Sequence, residues 1–353
     1  MTRGVGIGVA MLAVAVLGVA LAAYWTLFAP TREFKPPRPV RIEPGDSMAV
    51  AARRLADAGV VRNQWAFIVY AELTGRANRL QPGFYEFHGR ENAPQVLDHL
   101  VNGDFVVITV AIPEGLTVHQ IGERLEAAGL VCAGEFDAQA RRGALVKAAG
   151  LAPLGAEGYL FPATYKFPPD AGVNDILQAM IARFFANLTP PIERRVFAMG
   201  LTVPELVTIA SMIEKEAKAP GERPLIASVF YNRLRLGMPL QSDPTAQYSP
   251  QGEIAPALLA VHRASPFNTY SIAGLPPGPI ANPGLSSIEA ALYPAHTDYL
   301  YFVARDDGTH IFSRSFAEHQ RAIAEVKRSN ASSKNRERGG SARGASGVGS
   351  AGG

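Results

Sequence analysis

Cysteine is almost absent: Cys132 stands alone among 353 residues, so no internal disulfide framework and no cysteine-based zinc site can form. The seven histidines include no His-Glu-x-x-His pattern, and His296, His310 and His319 lack helical ligand spacing, so no metal is expected. A phosphate-cradling loop, a Gly-x-Ser-x-Gly elbow and a dinucleotide fingerprint are also missing, and no cofactor is expected. Charged residues are sparse at 18%, yet 48% hydrophobic residues exclude a disordered chain and supply a sizeable core. The length suits two domains. The net charge of +3 is misleading as a guide to nucleic acid. From Lys327 onward the chain carries +5, leaving −2 for the rest, so the basic character belongs to residues 327–353, expected to be a solvated, disordered basic tail, and no nucleic acid partner is expected.

The longest uncharged stretch runs between Arg3 and Arg32. Residues 5–28 as a helix would reach roughly 36 Å, enough to cross a bilayer core, and Tyr24, Trp25 and Phe28 gather at the end where amphipathic rings favour headgroups. Ala20-Leu21-Ala22 offers a cleavage site for a removed signal peptide, but the apolar run continues past it. Residues 1–4 are expected in the cytoplasm. Arg32, Lys35, Arg38 and Arg41 after the span oppose that orientation by charge bias, although long domains translocate despite such charges.

Residues 29–39 contain Lys35-Pro36-Pro37-Arg38-Pro39, a stiff spacer. A repeat follows at an offset of 70 residues: Ile42, Gly45, Arg54, Leu55, Ala58, Gly59 and Val61 recur as Ile112, Gly115, Arg124, Leu125, Ala128, Gly129 and Val131. Each copy reads as strand, Gly turn, Ser or Thr cap (Ser47, Thr117), then an amphipathic helix ended by Gly. Within the first copy, Trp65, Ile68, Val69 and Leu73 predict a second helix, and Phe84 to Phe87 a strand. That order over 40–110 resembles the LysM glycan-binding module. A strand is expected from Phe105 to Ile112, the second repeated unit and its connection over 111–165, and helices over Val173 to Arg195, from Pro204 to about Lys218, and over Leu225 to Leu236. The section Gly237 to Gly284, dense in Pro, Gly and Asn, reads as a site wall rather than a linker.

On the helix from Pro204, the stripe Leu206, Ile209, Ala210 and Ile213 leaves Glu214 near its edge and partly sheltered, with Glu216 about 200° away. The helix therefore offers no carboxylate pair, which glycoside hydrolysis ordinarily needs. A lytic transglycosylase avoids that need: the muramyl C6 hydroxyl attacks its own anomeric carbon, and one carboxyl with a raised pKa serves as acid and then base. The plain alternative is a solvated Glu214–Lys218 helix ion pair.

Thr208-Ile209-Ala210-Ser211-Met212-Ile213-Glu214-Lys215-Glu216, then Ala227 to Leu234, Leu240-Gln241-Ser242-Asp243-Pro244-Thr245, Asn268-Thr269-Tyr270, Gly274 to Ile280, Asn282-Pro283-Gly284, Tyr299 to Ala304 and His310-Ile311-Phe312 together resemble the endolytic murein transglycosylase (YceG-like) family. The resemblance implies an α+β protein: an N-terminal transmembrane helix, a small LysM-like domain and a mixed α/β catalytic domain over 166–326. It implies a single-pass enzyme of the inner (plasma) membrane with its catalytic part in the periplasm, cutting the MurNAc-GlcNAc bond of nascent glycan strands to leave 1,6-anhydro-MurNAc ends. Glu214 matches the catalytic glutamate, and Gln241, Asp243, Asn268, Tyr270 and Asn282 are candidates to line the groove. Peptidoglycan strands, the membrane and peptidoglycan synthases are the implied partners. A hydrolytic muramidase using Asp243 as a second carboxylate, and a non-catalytic glycan-binding scaffold, are the alternatives.

Overall fold

Glycines at equivalent places open and close the repeated helix. Gly45 and Gly115 before it, and Gly59 and Gly129 after it, all have positive φ, between +69° and +90°, where a Cβ is disfavoured. In the computed structural model, which describes residues 2–142, 144–151, 155–249, 261–262 and 264–344, both copies of the repeat take the expected form. Strand β1 (Arg38–Ile42) leads to helix α2 (Met48–Asp57), capped by Ser47, and helix α3 (Gln64–Leu73) is capped by Asn63. Strand β2 (Gly83–Phe87) pairs antiparallel with β1, Val40 opposite Tyr85 and Ile42 opposite Gly83. Helix α4 (Ala93–Asn102) completes the group with a full capping box between Asn92 and Gln95.

The second copy repeats this sequence of elements further than its conserved spacing suggested. Strand β3 (Ile108–Ile112), helix α5 (Val118–Ala127), helix α6 (Ala133–Arg142), helix α7 (Ala144–Ala148) and strand β4 (Ala163–Phe167) follow, and β3 pairs with β4. Both copies are thus strand, helices, closing strand. The expected strand from Phe105 starts only at Ile108; just before it the Val106 amide donates to the Phe84 carbonyl and the Phe105 ring packs edge-on against Tyr85.

The chain forms two compact units. The first holds residues up to Thr109 together with Lys166–Ala171, around a core of Val40, Ile42, Leu55, Phe67, Tyr85, Phe87, Val96, Leu97 and Leu100. Helix α1 (Thr2–Phe28) precedes it, and Leu27 and Phe34 pack on this core. The second unit joins 110–165 to everything from Gly172 onward, so the boundary expected between Tyr165 and Lys166 does not separate the second repeat from the remainder.

In that unit the helical pattern expected over Val173 to Arg195 is two helices, α8 (Val173–Asn187) and α9 (Pro190–Ala198), since Pro190 and Pro191 cannot donate into a preceding turn. Helix α10 (Val203–Glu216) starts at a Thr202–Glu205 capping box and ends two residues before Lys218. Helix α11 (Arg223–Arg235), the short α12 (Asp243–Gln247) and α13 (Leu285–Leu292) follow. Part of the expected site wall, 250–260 and 263, lies outside the described residues. A hairpin of β5 (Tyr301–Ala304) and β6 (His310–Ser313) leads into α14 (Phe316–Gly344). This helix replaces the disorder expected from Lys327, up to Gly344. Helical hydrogen bonds need no burial, and the run lacks proline and contains Ala, Arg, Lys and Glu.

What ties the second repeat to the later helices is a buried polar hub. Asn282, 1% exposed, accepts from the Leu160 amide at 2.8 Å and donates through Nδ2 to the Leu116 carbonyl at 3.0 Å and to Glu157 Oε1 at 3.1 Å. Glu157 also accepts from the Val118 amide at the start of α5 (3.1 Å) and from the Tyr248 hydroxyl (3.0 Å). Burial pushes the Glu157 carboxyl up to about 7.

Two outcomes follow from this hub. Asn282→Ala strands the Leu160 amide and leaves Glu157 Oε1 with the Val118 amide as its remaining donor, and should lower the melting temperature by about 5–15 °C; weakened glycan binding with an unchanged melt would make Asn282 a groove residue instead. The Glu157 carboxyl sits above its ordinary 4.5 when folded, so its contribution is complete at acid pH and fades as pH climbs from about 4.5 through about 7. Glu157→Gln should flatten that part of the stability–pH curve, measured by melts of the full chain between pH 4 and 8.

Candidate functional site

Helix α10 has no charged residue from Leu206 to Ile213, and every residue in that run is buried. It is therefore enclosed on both flanks, and its last turn delivers two carboxyls in opposite directions. Glu214 Oε2 accepts from the Gly284 amide at 3.1 Å and the Ser287 hydroxyl at 2.7 Å. Those groups belong to the first turn of α13, so Glu214 caps that helix. Its other oxygen faces the Arg223 guanidinium at 3.5 Å, and the Glu214 side chain is only 7% exposed. The Glu214–Lys218 pair is not formed: Lys218 lies beyond the end of α10, and Arg223 takes the cation's place. Nearby Glu114 is pushed up by burial and by the Glu214 charge, against Arg223.

Glu216 points elsewhere. It lines a cavity of about 350 Å³ together with Arg233, Gln241, Asp243, Tyr270, Tyr301, His310 and His319. Its carboxyl accepts a 2.6 Å hydrogen bond from Ser242. Burial pushes it up to about 7, the Ser242 hydroxyl holding it back and the Asp243 charge adding to the rise. Of the six residues singled out from sequence, the structure brings Gln241, Asp243 and Tyr270 to this cavity, leaves Glu214 on α13, and sets Asn268 and Asn282 in buried frameworks. Asn268, fully buried, donates to the Val261 carbonyl and accepts from the Tyr270 amide, so it shapes the turn that presents Tyr270.

The three cavity candidates are held firmly. The Tyr270 hydroxyl donates to Asp243 Oδ1 at 2.6 Å, and burial together with that bond raises the phenol pKa. Gln241 has φ +52°, a left-handed backbone that non-glycine residues rarely keep without support. Support comes from the Thr269 carbonyl, which accepts from the Gln241 amide at 3.1 Å, and from Arg233, whose Nη1 donates to Gln241 Oε1 at 3.1 Å.

Arg233 and the aromatic wall were missed from sequence. Arg233, 6% exposed, donates to the carbonyls of Pro239, Leu240 and Leu300 and lies 4.9 Å from the Tyr301 ring centroid. His319 stacks on Tyr301 at 5.1 Å. Its Nδ1 is buried and has no hydrogen-bond partner among the described residues, and burial followed by the Arg233 charge lowers its pKa. His310 is fixed by Glu222, which takes its Nδ1 at 2.7 Å and its amide at 3.0 Å. The only sequence signal for Arg233, Tyr301 and His310 was their place in the matching motifs, Ala227 to Leu234, Tyr299 to Ala304 and His310 to Phe312, and His319 lies in none of them. The described residues contain no cluster of side chains able to hold a metal ion.

Chemically, the cavity joins one carboxyl that titrates near neutrality to a second carboxylate, a phenol, an amide and rings. Such a set suits proton transfer at a polar, ring-shaped substrate. The same stretch of chain is where known proteins resemble this one. The YceG-like family matches residues 40–325. The endolytic murein transglycosylase of Bacillus subtilis (strain 168) is 35% identical over 303 residues, spanning 80% of this chain and 83% of that protein. The endolytic murein transglycosylase of Streptococcus pneumoniae serotype 2 is 32% identical over 320 residues, 81% of this chain but 58% of its own length. A yceG-like protein from Listeria monocytogenes, known from a crystal structure, superposes with a TM-score of 0.57 at 32% identity, over 82% of this chain and 99% of that one. A family match running through both repeats and the whole cavity, with relatives this similar over most of the chain, means that the chain belongs to the YceG-like family.

Proposed function

We propose that this protein is a membrane-anchored lytic transglycosylase that cuts the MurNAc-GlcNAc bond within nascent peptidoglycan strands, with Glu216 rather than Glu214 as its acid and base. The observation that carries this reading is the Glu216 carboxyl, raised to about 7 inside a cavity shared with Asp243 and Tyr270. The names of the relatives support the substrate class. Helix α1, whose segment Met11–Phe28 is apolar enough to cross a bilayer, is the anchor, with both units outside the cytoplasm and the first, LysM-like unit as a glycan-binding partner of the second.

In this mechanism the protonated Glu216 gives its proton to the glycosidic oxygen as the bond to the muramyl C1 breaks. Positive charge growing at C1 is stabilised by the Asp243 carboxylate, which Tyr270 orients. The C6 hydroxyl of the same muramyl residue attacks C1, and its proton returns to Glu216. The proton account closes on one carboxyl, and no water is consumed. The presence of Asp243 in the cavity favours one second reading, a hydrolytic muramidase in which it directs a water to C1.

Incubating the reconstituted protein with uncrosslinked nascent peptidoglycan, followed by mass spectrometry, decides between these: new 1,6-anhydro-muramyl ends are expected, whereas reducing muramyl ends would establish hydrolysis. Glu216→Gln should slow the formation of ends by about 10²- to 10⁴-fold with an unchanged melting temperature. Glu214→Gln should instead lower the melting temperature while keeping a substantial rate, and the reverse pattern would return the acid role to Glu214. Because the working form is protonated, kcat/KM should hold below about pH 7 and fall above it.

A further inference from the structure

Trp65, Ile68, Val69 and Leu73 predict the helix α3, and the structure turns most of them outward. In α3 the buried residues are Phe67 and Ala71. Trp65, Val69 and Leu73, spaced at i, i+4 and i+8, are 68%, 56% and 82% exposed. The reason is that α3 is apolar nearly all round: Gln64 and Glu72 are its only residues without a large or small apolar body. Periodicity then does not select a face. A row of three large apolar side chains on one helix is what a soluble surface avoids and what a partner surface covers.

The other contacts of α3 say which partner. The last turn of α1 rests on this helix and its N-terminal approach. The Phe28 ring packs edge-on against Tyr70, with centroids 6.3 Å apart. The Arg62 guanidinium lies 4.3 Å from the Trp25 ring centroid and donates to the Pro30 carbonyl at 2.8 Å. The apolar segment of α1 ends at Phe28, so α3 is tied to the depth at which a spanning helix leaves the hydrocarbon. Arg62 and Arg79, both exposed, flank the two ends of α3, in position for anionic headgroups.

We propose that the outer face of α3 docks on the bilayer surface, with Trp65, Val69 and Leu73 entering the boundary between headgroups and acyl chains. The proposal rests on the reading of α1 as a membrane span. It makes the first unit a body held to the membrane at two places rather than one swinging on a single tether.

Trp25 and Trp65 are the chain's two tryptophans, which allows each to be read alone in the full-length protein. Trp25→Phe, reconstituted into vesicles of phosphatidylcholine and phosphatidylglycerol, leaves Trp65 as the reporter. Lipids brominated near the top of the acyl chain should quench its emission at least twofold, and Val69→Glu added to the same chain should remove most of that quenching. Trp65 emission that brominated lipid leaves unchanged overturns the proposal, whether aqueous iodide reaches the ring or a second copy of the chain shields it. The Trp65→Phe protein provides the control through Trp25. Quenching of Trp25 without quenching of Trp65 defeats the docking and leaves the span intact, and loss of both defeats the two together.

Discussion

The enclosed end of α10 is the constraint on which the second unit depends. A helix buried on all sides from Leu206 to Ile213 cannot rotate or slide without breaking contacts around its whole girth, so the directions of the two carboxyls after it are fixed. Glu214 closes the first turn of α13 and binds Arg223. Glu216 enters the cavity. The separation of about 200° that keeps the two apart on a helix is what lets one carboxyl hold the scaffold while the other stays available for chemistry.

Three sheltered glutamates in this unit differ chiefly in how fully their oxygens are engaged. Glu157 receives hydrogen bonds from an amide, a phenol and a side-chain amide, and only a narrow space of about 20 Å³ adjoins it. Glu214 receives an amide, a hydroxyl and a guanidinium. Glu216 receives one hydroxyl. Donors on their oxygens tie Glu157 and Glu214 into the scaffold, whereas Glu216, with a single donor and beside open volume, keeps lone pairs free to meet a substrate oxygen.

How much of this was legible in the sequence divides along the range of the signals. The apolar α1, the Thr202 and Thr117 caps and the paired repeat depend on residues within a few positions of one another, and each was readable. The closing strands of the two copies were legible only in the first, where Phe84 to Phe87 alternates. The choice between Glu214 and Glu216 was not legible from a helical wheel, because a stripe argument assumes one wet side and α10 has none. The uncharged run from Leu206 to Ile213 was the available sign of that. Asn282 and Asn268 read as groove amides in the sequence, whereas the structure gives both of them buried partners within the fold. Asn282 meets Leu160 and Glu157, 122 and 125 residues away, and no local pattern encodes such a meeting.

Arg233 shows how the same long-range logic prepares the cavity. Its charge is met by three backbone carbonyls, by Gln241 Oε1 and by the Tyr301 ring. Burial lowers its pKa, but a guanidinium stays protonated under any working condition. It therefore has to satisfy its donors through fixed geometry, and that geometry pins the segment Pro239 to Gln241 to the start of β5. Gln241 keeps its left-handed backbone because the bond to Arg233 and the bond to Thr269 both depend on it. Tyr301, held on one side by Arg233, presents His319 on the other, and the Arg233 charge helps to keep that imidazole neutral. One buried cation thus holds the backbone on one wall of the cavity and adds its charge to the burial that lowers the His319 pKa. The polar groups facing the cavity are oriented before any ligand arrives, so little ordering remains to oppose binding or reaction.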